Sequence, residues 1–80
     1  MASFQAFDSA ALADGAIPKK YKELMAVAVA LTTQCAYCID VHKKAAINAG
    51  ATEQELAETT FVAAALHAGG AVAHGSHLVD

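Results

Sequence analysis

The residues best suited to chemistry are two cysteines and a histidine that fall within eight positions, in Cys35-Ala36-Tyr37-Cys38-Ile39-Asp40-Val41-His42. On a helix, Cys35, Cys38 and His42 would lie on one face, because they are three and four residues apart. A helix N-terminus and a neighbouring imidazolium both stabilise a thiolate, which is the nucleophilic form of cysteine. A second thiol lets a sulfenic acid on the first condense to a disulfide. The pattern predicts a two-thiol peroxidase or a thiol–disulfide exchanger.

The residues alone leave two other uses of the cysteines open. The pair could be structural, because free cysteine packs as a small hydrophobic residue. Cys-x-x-Cys with a histidine also provides three zinc ligands, and Glu23 or a C-terminal histidine could supply a fourth. We expect those histidines, however, to face solvent or an interface; they are His67, His74 and His77. A thioredoxin-like site would need a β-α-β pattern, and no strand is predicted.

Glu23 is the remaining candidate, twelve residues before Cys35 and just ahead of the apolar run Met25 to Leu31. In one interpretation it is a surface residue that pairs with Lys19 or Lys22 and contributes little to stability. In the other it is a buried carboxylate with a raised pKa, able to pass protons to and from a neighbour. The residues themselves do not choose between the two.

Composition limits the class of protein that can carry this site. Eighty residues form one domain, 1–80, and a chain of this size buries only roughly 60% of its unfolded surface. Because 56% of the residues are apolar and 16% are charged, we expect self-association. The net charge of −3, with only five lysines split between positions 19 to 22 and 43 to 44, argues against nucleic-acid binding. Two cysteines are also too few for the disulfide framework of a small secreted domain.

The location expected from the sequence is the cytoplasm, with no membrane association. The N-terminus lacks a basic leader followed by a long apolar run, so no secretory signal is predicted. The longest apolar stretch, Leu24 to Leu31, is too short to span a bilayer.

The site residues must be positioned by helices, because alanine is the commonest residue and the pattern is all-α. We expect four helices. The first runs from about Phe4 to Ala13 and is capped by Ser3, and the second runs from Pro18 to about Thr33. The third runs from about Cys35 to Asn48, with Gly50 beyond its end, and the fourth starts at the capping box of Thr52 and Glu55. The second should be central and buried, and Phe4 and Phe7 should anchor a core or an interface. Gly69-Gly70 should interrupt the fourth, leaving Ala71 to Asp80 as a short helix or a frayed tail.

The chain resembles the alkylhydroperoxidase D-like proteins of the carboxymuconolactone decarboxylase superfamily. The resemblance lies in the spacing of four residues: Glu23, then eleven residues, Cys35-x-x-Cys38, then three residues, and His42. The resemblance extends from Lys22-Glu23-Leu24 through Gly50-Ala51-Thr52 and the following helix, which is most of the chain. It implies an all-α helical bundle that assembles as a homo-oligomer, a trimer or a hexamer. The superfamily's namesake decarboxylases generally lack the cysteine pair, so its presence here argues against lactone decarboxylation.

The resemblance also implies roles. Cys38 would attack an alkyl hydroperoxide, Cys35 would resolve the sulfenic acid to a disulfide, and Glu23 and His42 would relay the proton from Cys38. No cofactor or metal is implied. The reductant would be a dithiol donor, either a lipoylated adaptor or a thioredoxin-like protein. Since the chain is shorter than the family's duplicated members, part of the active-site wall could come from a neighbouring subunit.

Overall fold

The computed structural model describes residues 2–79 and contains four helices in chain order. They are α1 (Ala2–Leu12), α2 (Lys19–Thr33), α3 (Ala36–Asn48) and α4 (Glu53–Gly75). No strand occurs in the part of the chain that the structure describes, which confirms the all-α prediction. The helix order and the short connections also agree with the sequence prediction.

Helix α2 is the centre of the fold, as predicted, because it packs against each of the other three helices. Its inner face buries Val27 and Ala30, and Ala46 of α3 and Ala63 of α4 complete the small apolar core. The expectation that α2 is buried holds only for its inner face. Met25 is 50% exposed and Val29 is 60% exposed, because a single chain covers only one side of the helix.

The helix boundaries follow from local signals. Gln34 ends α2 in the left-handed conformation with φ of 58°, and its N–H donates to the carbonyl of Ala30. Cys35 then caps α3. A capping box of Thr52 and Glu55 begins α4, and both hydrogen bonds of the box are formed. Gly50 has a φ of 102°, a conformation in which a residue without Cβ is favoured.

Two local predictions are wrong. Ser3 lies inside α1, which begins at Ala2, and therefore does not cap it. Helix α4 also passes through Gly69 and Gly70 without interruption and ends at Gly75. Each glycine costs about 1 kcal/mol relative to alanine, but the surrounding segment is rich in alanine, the strongest helix former. Residues 71–75 of the predicted tail thus belong to α4, residues 76–78 form a turn, and Asp80 lies outside the described residues.

Much apolar surface lies outside this core. Phe4 is 59% exposed and Phe7 is 70% exposed, so neither is a core anchor within the chain, and their role at an interface stays a prediction. Ala63 is the buried residue of α4, and residues 64–74 are all exposed. By length and composition α4 could cross a membrane, with a mean hydropathy of 1.2 over its most apolar window. A helix that is covered by another subunit has the same composition, and nothing else in the described chain indicates a membrane protein.

Candidate active site

The two cysteines lie at the start of α3 and their sulfur atoms are bonded to each other. Cys35 is the N-cap residue, and its Sγ accepts a hydrogen bond of 3.2 Å from the backbone N–H of Cys38. Both side chains are half-buried. Because Cys38 lies in the first turn, its sulfur is close to the positive end of the helix dipole, which favours a thiolate in the reduced form.

Glu23 is buried on the inner face of α2, with only 2% of its surface exposed. Its Oε1 lies 2.7 Å from Nδ1 of His42, across the hairpin formed by α2 and α3. Its Oε2 accepts a hydrogen bond of 2.9 Å from Nζ of Lys19, one turn earlier on α2. Glu23 therefore combines features of both sequence interpretations, since it pairs with Lys19 and is also buried beside the histidine.

The pKa of Glu23 lies below its usual value, contrary to the raised pKa expected for a buried carboxylate. Burial is the largest single influence and by itself would raise the pKa. The hydrogen bonds and positive charges of Lys19 and His42 favour the carboxylate, and together they outweigh burial. Glu23 is thus an ionised acceptor for both neighbours at neutral pH and is poorly suited to take up a proton itself.

The state of Glu23 determines which nitrogen of His42 is available. An ionised carboxylate can only accept hydrogen bonds, so Nδ1 of His42 must carry the hydrogen that lies between them. The other nitrogen, Nε2, is then free to accept a proton. His42 and Cys38 line the same two cavities, of about 320 and about 310 Å³, on the α1 side of α3.

Asp8 of α1 belongs to this site and was not identified from the sequence. It lines both cavities together with Cys38 and His42, and it is half-buried and the only charged residue of α1. The remaining lining of the larger cavity is mostly aliphatic, from Ala11, Leu12, Ala26, Val29 and Ala30, with Thr33 at one side. The signal in the sequence was a carboxylate at helical spacing from Phe4 and Ala11, on an otherwise apolar face.

The structure does not support the alternative of a zinc site. Among residues 2–79, no group of three or more His, Cys, Asp or Glu side chains is placed so that it could hold a metal ion. The cysteine sulfurs are bonded to each other, and Glu23 is paired with His42. The rings of His74 and His77 lie 6.1 Å apart near the end of α4, whereas His67 lines a separate groove between α2 and α4. None of these three histidines lines the two cavities that contain Cys38 and His42.

Known proteins resemble this chain over most of its length. An uncharacterized protein encoded in the cox locus of Paracoccus denitrificans is 46% identical over 74 residues, which are 92% of this chain and 67% of that protein. An uncharacterized protein from Cupriavidus necator is 39% identical over 62 residues, 78% of this chain and 55% of the relative. The chain thus spans between about half and two thirds of the length of these relatives.

Two crystal structures share the fold. A protein from Methanobacterium thermoautotrophicum superposes with a TM-score of 0.85 and 36% identity, over 96% of this chain and 88% of that one. A carboxymuconolactone decarboxylase family protein from Legionella pneumophila gives a TM-score of 0.80 and 37% identity, over 95% of this chain and 68% of that one. The sequence model of the carboxymuconolactone decarboxylase family matches residues 1–80. The chain belongs to the carboxymuconolactone decarboxylase family.

Proposed function

We propose that this protein is a thiol peroxidase that reduces alkyl hydroperoxides through a disulfide between Cys38 and Cys35. The observation that carries the proposal is the Cys35–Cys38 bond at the start of α3, on the cavities that His42 also lines, with His42 held by Glu23 at 2.7 Å. A nucleophile, a base and a group that orients the base are the parts that activated-nucleophile catalysis requires.

In the proposed cycle, Nε2 of His42 takes the proton of the Cys38 thiol, and the thiolate attacks the terminal peroxide oxygen. The S–O bond forms as the O–O bond breaks, and the departing alkoxide takes the proton from His42 and leaves as an alcohol. The Cys35 thiol then attacks the sulfur of the Cys38 sulfenic acid and releases water, which gives the disulfide. Two electrons and two protons from a dithiol restore both thiols. General acid–base assistance of this kind typically accelerates a reaction about 10²–10⁴-fold.

The lining of the larger cavity supports an uncharged, apolar hydroperoxide as the substrate. Its volume of about 320 Å³ would accommodate a small organic molecule, and five aliphatic residues contribute to the wall. Asp8 places a negative charge at the same cavity, which disfavours substrates that carry a carboxylate.

The proposed partners are a dithiol donor and further copies of the chain. The Cys35–Cys38 disulfide is only half-buried, so a dithiol donor, such as a lipoylated adaptor or a thioredoxin-like protein, could reach it. We propose that a second copy of the chain covers the exposed apolar residues of α1 and α4, in a trimer or a hexamer. Covering them would also bring a neighbouring subunit close to Phe4, which lines the smaller cavity.

Single-turnover chemistry on the reduced protein tests the function. Cumene hydroperoxide should convert the two thiols into the Cys35–Cys38 disulfide and release one equivalent of cumyl alcohol. Cys38→Ser should abolish alcohol release, whereas Cys35→Ser should release one equivalent and stop at a sulfenic acid that dimedone can trap. If the wild-type pair reacts no faster than free dithiothreitol, peroxidase activity is excluded. Zinc bound in stoichiometric amount to the reduced protein would instead support the alternative, a metal-binding or structural domain.

A further inference from the structure

The geometry points to Lys19 as a positioning residue for the relay, one that acts on His42 through Glu23. This inference rests on the proposed role of His42 as the base for Cys38. Lys19 touches neither the cysteines nor the cavities in which the reaction is proposed to occur. Its side chain can act on the site through the carboxylate with which it pairs, or through Leu12, whose carbonyl it also contacts and which lines the larger cavity.

The two oxygens of Glu23 are divided between two partners on opposite sides. Nζ of Lys19 lies 2.9 Å from Oε2, and Nδ1 of His42 lies 2.7 Å from Oε1. The Glu23 side chain is 3% exposed while that of Lys19 is 44% exposed. The lysine therefore brings a solvated positive charge to a carboxylate that water itself barely reaches.

Without this positive charge, only His42 would oppose the effect of burial, so the pKa of Glu23 would rise and its protonated form would be more populated. A protonated carboxyl group has an O–H that can donate to Nδ1 of His42, and the imidazole would then carry its own hydrogen on Nε2. In that tautomer Nε2 cannot accept the proton of Cys38. By keeping Glu23 ionised, Lys19 holds the hydrogen of His42 on Nδ1 and leaves Nε2 basic.

The same lysine also contacts the end of the helix that forms the cavity wall. Nζ of Lys19 donates to the carbonyl oxygen of Leu12 at 3.4 Å, and Leu12 is the last residue of α1. Lys22 makes a similar contact to the next carbonyl, that of Ala13, at 2.8 Å. Both lysines thus fasten α1 to α2, but of these two only Lys19 pairs with Glu23 in the described chain.

Lys22 is therefore a matched control. Lys19→Met and Lys22→Met each remove one positive charge and one contact to the end of α1, so a difference between them isolates the pairing with Glu23. Both are best made in a Cys35→Ser background, because Cys38 is then the only thiol and serine is a good N-cap residue. The measurement is the rate of alkylation of Cys38 by iodoacetamide as a function of pH.

We expect Lys19→Met to raise the apparent pKa of Cys38 reactivity by about one pH unit or more, and Lys22→Met to leave it unchanged. The other charged groups near the relay, Asp8 on α1 and His42 on α3, are unaltered in both variants. Lys19→Arg keeps a positive charge and should restore the profile. In a Glu23→Gln background, Lys19→Met should change nothing further, since the effect passes through the carboxylate.

Nitrogen-15 NMR of His42 provides a second measurement that does not depend on activity. The wild-type ring should carry its hydrogen on Nδ1 at neutral pH, and the Lys19→Met ring should shift toward the tautomer with hydrogen on Nε2. If Lys19→Met and Lys22→Met give the same pH profile and the same His42 tautomer, the positioning role is refuted. The peroxidase proposal is judged separately by alcohol release, so either idea can fail while the other stands.

Discussion

Replacing Glu23 with glutamine is the most informative perturbation, because it keeps the size of a buried side chain and removes only its charge. The carboxylate accepts from two donors, Lys19 at 2.9 Å and His42 at 2.7 Å. Glutamine has one oxygen that accepts and an NH₂ group that only donates. One of the two partners must therefore lose its acceptor, and if that partner is His42, its hydrogen moves from Nδ1 to Nε2.

The expected loss of stability can be estimated from these contacts. A hydrogen bond to a charged group contributes about 1.5–3 kcal/mol, and glutamine retains one acceptor. Lys19 is 44% exposed and can be rehydrated, so the net destabilisation should be about 1–3 kcal/mol. For a domain of this size, 1 kcal/mol corresponds to a change of roughly 4–8 °C in Tm. The larger effect should be chemical, because a hydrogen on Nε2 stops His42 from acting as the general base, and such assistance is typically worth about 10²–10⁴-fold.

The assays are thermal unfolding by circular dichroism and alcohol release from cumene hydroperoxide, both at one protein concentration. Glu55→Gln is the control, because it removes an ion pair of the same length, 2.9 Å, between Glu55 and Lys20 on the α4 side of α2. The control should react like the wild type. If Glu23→Gln reacts within about threefold of the control while nitrogen-15 NMR shows the hydrogen of His42 on Nε2, the relay through His42 is refuted, whatever the change in Tm.

Four further predictions use other features of the same structure. Asp8→Asn should increase kcat/KM for a para-carboxylated cumene hydroperoxide severalfold and leave its methyl ester unaffected; equal changes for both substrates would contradict a charge effect. Thr52→Ala should lower the free energy of unfolding by about 1 kcal/mol in urea titrations, since it removes the N-cap of α4. Gly69→Ala should raise it by up to about 1 kcal/mol, as nothing lies within 4 Å of the added Cβ, unless another subunit packs there. Because the pKa of Glu23 is lowered by folding, its stabilising contribution should be complete above about pH 4.5 and be lost as the pH falls further; Glu23→Gln should lack that acid dependence.

The parts of the fold that the sequence predicts correctly are those with a strong local signal. The capping box of Thr52 and Glu55 and the break near Gln34 depend on residues within four positions of each other. The local rule for glycine predicts a break at Gly69 and Gly70, but helix α4 continues because the alanine-rich segment around the two glycines favours a helix as a whole. Local rules also cannot tell how much of α2 a single chain will cover, which depends on packing between distant helices.

The site was predictable to a similar degree. The spacing of Cys35, Cys38 and His42 placed them on neighbouring turns, but their connection to Glu23 came from resemblance, because the two ends of that contact are 19 residues apart. Asp8 is 30 residues from Cys38 and was missed for the same reason. Contacts between helices decide which side chains share a cavity, and no periodicity within one helix contains that information.

The structure also changes which residue is expected to move the proton. A buried carboxylate with a raised pKa would have been a candidate base, and the sequence suggested that role for Glu23. Because Lys19 and His42 both donate to it, the carboxylate is instead held in its charged form, and its hydrogen bond fixes the imidazole with Nδ1 as donor. In the proposed cycle the proton of Cys38 goes to Nε2 of His42, and Glu23 stabilises the imidazolium that results. The proposed relay therefore has a single mobile proton and a fixed negative charge behind it, and the ion pair between Lys19 and the buried Glu23 helps to keep that charge in place.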